Sequence, residues 1–149
     1  ITINGEKMPT RKASAIWEKG LQNGKGSFKG ESGTISGNYS FGSRFENAAG
    51  SNPEELLAAA EAACFSMALA LGLEKNGTPA DKVETSAACT IEKSGDGFKI
   101  STMSLVVNAT VPGIDKAKFS QIAEATKDGC PVSQALKGNV NITLTANLN

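Results

Sequence analysis

At 149 residues, 40% of them hydrophobic, the chain is the size of one ordinary domain and long enough to bury a core without metal or disulfide staples. Fifteen Lys and Arg balance fifteen Asp and Glu, which excludes the basic field that nucleic acid or an anionic membrane attracts and leaves a small molecule or a protein as the expected partner. Histidine is absent, so His-based triads, His-ligated zinc or haem and imidazole bases are excluded; cysteines at 64, 89 and 130 form no C-x-x-C pair, and no metal or cofactor is expected.

The first twenty residues, ITINGEKMPTRKASAIWEKG, hold no apolar run of signal-peptide length, and the expectation is a cytoplasmic protein of one domain, 1–149. From Ala13 to Phe45, short alternating pieces separated by glycines predict three strands of a meander; no helix persists through so many glycines. A long helix follows in SNPEELLAAAEAACFSMALALGLEKNG. Asn52 suits the cap, Pro53 the first helical position, and Glu54 and Glu55 the positive end of the dipole, while Lys75 and Gly77 close it. The helix is apolar on nearly every face between Leu56 and Leu73, which predicts protein on most of its sides. It approaches membrane-spanning length, but Glu61, Ser66 and Gly72 interrupt it and no basic anchors flank it.

Val83, Thr85, Ala87, Cys89 and Ile91 alternate with mostly polar neighbours, and SGDG at 94–97 turns that strand into a second one from Phe98 to Val111. Ala117 to Lys127 reads as a helix, Cys130 and Pro131 open a brief third helix ending at Gly138, and Val140, Ile142 and Leu144 alternate in a closing strand. The order βββ-α-ββ-αα-β lacks strict alternation, so the predicted class is α+β with antiparallel sheets around a long buried helix.

Two thiols compete for attention. Cys64 lies well inside the long helix, where a free cysteine is usually a small hydrophobe and desolvation suppresses its thiolate unless a cation is near. Cys130, at a helix N-terminus, is predicted to be the more acidic thiol, because the dipole and unsatisfied N–H groups favour negative charge there. Cys89, in register with Val83 and Ile91, reads as core. Arg44, placed in a loop or strand end, and Glu54, a first-turn dipole complement, mean little alone.

Together, NPEELLAAAEAACFSMAL (52–69) and GCPVSQALKG (129–138), with WEKG, SRFE and VPGID, make the chain resemble the family of osmotically inducible protein C and the organic hydroperoxide resistance proteins, closest to the first branch. The resemblance runs over nearly the whole chain. It implies an intertwined homodimer and a two-cysteine thiol peroxidase: Cys64 is attacked by an organic hydroperoxide or hydrogen peroxide, Cys130 resolves the product as a disulfide, and Arg44 and Glu54 complete the site. It also implies a dithiol reductant, lipoyl dithiols in some members. Ten residues, about 15 Å of helix axis, separate Glu54 from Cys64, so a shared site draws Glu54 from a second subunit. Glu61, one helical turn before Cys64, stands where members of the family often carry histidine, and as a charge beside the thiolate it is expected to point away, into an interface or solvent, or to weaken reactivity. Two other classes compete: a noncatalytic stress or ligand-binding dimer whose cysteines only pack and cap, and a general disulfide oxidoreductase, disfavoured by the missing C-x-x-C geometry.

Overall fold

In the computed structural model, which describes residues 8–149, the expected meander is present as β1 (Ala13–Glu18), β2 (Lys25–Gly30) and β3 (Ser36–Tyr39), antiparallel in the order β1-β2-β3. Residues 1–7, on which part of the no-leader reading rests, lie outside the described range. Some glycines here are strand residues that make room for rings. Trp17 and Tyr39 stand 5.3 Å apart across Gly26, where a Cβ would come within 2.5 Å of the Tyr39 ring and 2.7 Å of the Trp17 ring.

The third strand ends earlier than the sequence suggests. After Tyr39 the chain enters a short helix, α1 (Phe41–Phe45), because Ser40 and Ser43 form a reciprocal capping box: the Ser43 N–H donates to Ser40 Oγ at 3.0 Å and the Ser40 N–H to Ser43 Oγ at 2.8 Å. Arg44 therefore sits on a helical turn, not on a loop or strand end. The Asn52 amide donates to the Ser43 carbonyl at 3.0 Å, tying the chain just before the long helix back to α1.

The chain divides into two compact units, one ending at Pro53 and one from Glu54 to Asn149. The second is built on α2 (Pro53–Lys75). Its buried residues, Glu54, Glu61, Phe65, Leu69 and Leu73, recur at helical spacing on one stripe. The opposite side, Ala59, Ala60, Ala63, Met67 and Ala70, is exposed, while the residues between are half-buried, so within one chain protein covers most of the helix and leaves one stripe bare. Gly77 ends the helix at φ +81°, its N–H donating to the Glu74 carbonyl at 2.9 Å and the Thr78 N–H to Leu73 at 3.0 Å, the paired bonds of a Schellman stop.

β4 (Lys82–Ser94) and β5 (Gly97–Thr110) form the predicted hairpin, with a bulge between Thr90 and Ile91. Met103, Leu105, Val107 and Ala109 of β5 point into a core shared with Phe65, Leu69 and Leu73 of α2 and with Phe119 and Ala123 of α3 (Lys116–Gly129). Ser66 of α2 is also bonded to Thr85 of β4, hydroxyl to hydroxyl, at 2.7 Å. After α4 (Pro131–Leu136) the chain returns as β6 (Asn141–Leu148), which pairs with β5 in parallel, Thr102 opposite Asn141 and Ala109 opposite Leu148. The class is α+β as expected, but this sheet is mixed. The two helices between β5 and β6 carry the chain back to the end where β5 began, the long crossover that a parallel neighbour requires.

Candidate active site

Cys130 stands at the joint of two helices. Its N–H closes α3 on the Thr126 carbonyl at 2.9 Å, and with φ −65° and ψ 142° it caps α4, Pro131 taking the first helical position. Its sulfur accepts from the Ser133 N–H at 3.4 Å and lies 3.1 Å from Ser133 Oγ. This joint places the thiol inside the protein, 1% exposed.

Against it, from α2, come two side chains one helical turn apart. Glu61 is fully buried, and its Oε1 accepts from the Cys130 thiol at 3.4 Å and from the Ser133 hydroxyl at 2.5 Å. Its Oε2 is buried with no hydrogen-bond partner among the described residues. Cys64, half-buried, packs against the core cluster that contains Cys130 and acts to raise its thiol. All three cysteines are free thiols. The structure thus places Cys64, Cys130, Glu61 and Ser133 in one neighbourhood; the first two are the thiols that the family resemblance pairs.

The predicted acidity of Cys130 is reversed. Burial pushes its thiol from 9.0 up to about 11; the Ser133 hydroxyl and backbone contacts act in the lowering direction, and Cys64 and Glu61 add to the rise. Four aligned peptides and a fraction of a charge at the head of a six-residue helix do not offset removal from water. Glu61 does not point away into solvent, one of the two expectations for it, but is buried against the Cys130 thiol.

The other candidates lie elsewhere. Glu54, 6% exposed at the start of α2, acts on Cys89 of β4, whose thiol is raised first by burial and then by the Glu54 carboxylate. α2 is unbroken from Pro53 to Lys75, so Glu54 and Cys64 of one chain remain about 15 Å apart along its axis. Arg44 lies in the first unit, its guanidinium carbon 5.3 Å from the centre of the Phe45 ring, at a cleft of about 250 Å³ that Trp17, Leu21 and Tyr39 also line. Among the described residues no three of His, Cys, Asp and Glu gather as metal ligands would.

Two neighbouring free thiols on two elements of an α+β domain, one buried against a carboxyl group and one half-buried, are the groups that thiol redox chemistry requires. The family comparison is more specific. The OsmC-like protein family matches residues 46–145, and the chain belongs to that family. It is 43% identical over 133 residues to "Peroxiredoxin OsmC" of Escherichia coli, covering 89% of this chain and 93% of that one. It is 37% identical over 100 residues to "Organic hydroperoxide resistance protein OhrB" of Bacillus subtilis, covering 66% of this chain and 71% of that one. The crystal structure of OhrB superposes with a TM-score of 0.67 at 28% identity, covering 93% of this chain and 98% of that one.

Proposed function

We propose that the protein is a two-cysteine peroxidase that reduces organic hydroperoxides to alcohols, and hydrogen peroxide to water. The observation that carries the reading is that Cys64, remote in the chain from Cys130, packs against the core cluster that holds it and acts on its thiol. Its relatives, a peroxiredoxin of Escherichia coli and an organic hydroperoxide resistance protein of Bacillus subtilis, support it.

In this scheme the Cys64 thiolate attacks the terminal oxygen of ROOH. The O–O bond breaks, ROH leaves, and Cys64 becomes a sulfenic acid. Cys130 then attacks that sulfur, and the pair closes to a disulfide with loss of water. An external dithiol, a lipoyl group among the options, exchanges with the disulfide and returns both thiols. Arg44 holds the thiolate and the peroxide oxygens by charge, and Glu54 orients the guanidinium through a bidentate pair. Since Glu54 and Cys64 of one chain are too far apart to share a site, Glu54 serves the Cys64 of a second subunit, and the active form is a homodimer. A reducing, cytoplasmic setting is the one in which both thiols stay available between turnovers.

One equivalent of cumene hydroperoxide tests the scheme. Intact mass is expected to fall by two hydrogens, with a peptide map linking Cys64 to Cys130 and leaving Cys89 alkylatable. Cys64→Ser abolishes turnover, whereas Cys130→Ser consumes one equivalent and stalls as sulfenic or overoxidised sulfur. If Cys64 stays alkylatable and no linkage forms, the protein is instead a dimer whose cysteines only pack and cap.

A further inference from the structure

We propose that Glu61 is the catalytic base of the resolving step: it takes the thiol proton of Cys130 as that sulfur attacks the sulfenic acid on Cys64, and delivers it to the departing hydroxide. The inference rests on the two-thiol reading above and assigns a residue that reading leaves idle.

The geometry gives the reason. The Cys130 thiol has Glu61 Oε1 within hydrogen-bond reach at 3.4 Å and Ser133 Oγ at 3.1 Å, and since Ser133 itself donates to Glu61 Oε1, both routes for the proton end on the carboxyl group. Ser133, donating to the same oxygen at 2.5 Å, fixes the carboxyl group from the α4 side. Oε2 has no hydrogen-bond partner among the described residues, so the carboxyl group is held through Oε1, the oxygen that takes the proton and gives it up. Glu61 and Cys64 are separated by one turn of α2, so the group that receives the proton is also beside the sulfur that releases hydroxide.

The step balances. A bond forms between the sulfurs of Cys130 and Cys64 while the Cys64 S–O bond breaks, its electron pair leaving with oxygen. Cys130 sulfur is oxidised, Cys64 sulfur is reduced, and the thiol proton, carried through Glu61, converts the hydroxide to water. The carboxylate is regenerated. Such a base is needed because a thiol that titrates near 11 is ionised in roughly one molecule in ten thousand at neutral pH, and the thiol form is a poor nucleophile.

Single-turnover measurements test the assignment, with sulfenic acid trapped by dimedone and disulfide followed by mass after alkylation. The titratable groups facing Cys130 are Glu61 and Cys64 from α2; Lys127, Asp128 and Lys137 edge the cleft behind Ser133, where Lys127 is held charged first by its hydrogen bond to Glu124. With an internal base, the wild-type resolution rate constant is expected to change less than about twofold between about pH 6.5 and 8.5. In E61Q, which keeps size and shape, resolution slows at least about tenfold, sulfenic acid accumulates, and the rate climbs about tenfold per pH unit because solvent hydroxide must now remove the proton. A wild-type rate that climbs that steeply overturns the proposal, as does an E61Q enzyme that resolves at the wild-type rate. Should E61Q not fold, the wild-type profile alone decides. Failure of the underlying two-thiol scheme has a different signature: no dimedone adduct forms on Cys64 in C130S.

Discussion

Cys130 shows how two effects of opposite sign meet on one atom. At a helix head the dipole favours the thiolate by a fraction of a kcal/mol, while burial beside a carboxyl group and another thiol disfavours it by more, and the pKa rises from 9.0 to about 11. A thiol raised in the folded state binds its proton more tightly there than in the unfolded chain. Its contribution to stability is therefore complete below pH 9 and is lost as pH climbs toward 11. Urea unfolding of wild type and Cys130→Ser at about pH 8 and about pH 10.5 is expected to show the wild type losing about 2 kcal/mol relative to the variant. A constant difference between the two proteins means that the thiol is solvated. The sequence could not reveal this sign, because the head of α4 is written in adjacent residues while burial depends on α2, sixty-odd positions earlier. Glu61 was legible as an anomaly, a carboxylate in an alanine run. Its partner Ser133 was not, since a serine three residues into a short helix carries no signal of its own.

Among the elements, those with local punctuation could be read directly. α2 follows from Pro53, two acidic residues and Gly77, and the β4–β5 hairpin from period-two alternation around Gly95 and Asp96. α1 was hidden because its signal is a pair of serines at Ser40 and Ser43 inside a stretch that otherwise alternates like a strand. The direction of β6 was hidden for another reason: alternation tells which face of a strand is buried and is silent about which way the strand runs. The stop at Gly77 allows a clean test. It adopts φ +81° in open space, so a methyl group there meets only backbone strain and no neighbour. Gly77→Ala is expected to cost about 1 kcal/mol in urea-derived stability with peroxide turnover unchanged, since the left-handed conformation disfavours any Cβ. An unchanged midpoint would show that α2 does not depend on this cap.

At the scale of the whole molecule, the proposed homodimer gives the distribution of apolar surface a use. α2 has the length and hydropathy of a membrane-spanning helix, yet buries only one stripe, leaving Met67 77% exposed in line with Ala59, Ala63 and Ala70. In the first unit Ile16, Leu21 and Ile35 are exposed too, and Ser43 is the one buried residue among those described, too little core for a three-stranded sheet to stand alone. A two-fold axis that set two α2 helices antiparallel would cover the Met67 stripe and bring Glu54 of one subunit toward Cys64 of the other, closing the roughly 15 Å that a single helix leaves open. Light scattering at assay concentration is therefore expected to give twice the 15.3 kDa of the chain. Met67→Lys, a charge on the covered stripe whose side chain takes no part in the chemistry, is expected to shift the protein toward single chains and to lower peroxide turnover in proportion to the dimer lost, with activity recovering as protein concentration rises. A single chain that turns over hydroperoxide at the full rate would separate the site from the assembly and return Glu54 to a purely structural role at the head of α2.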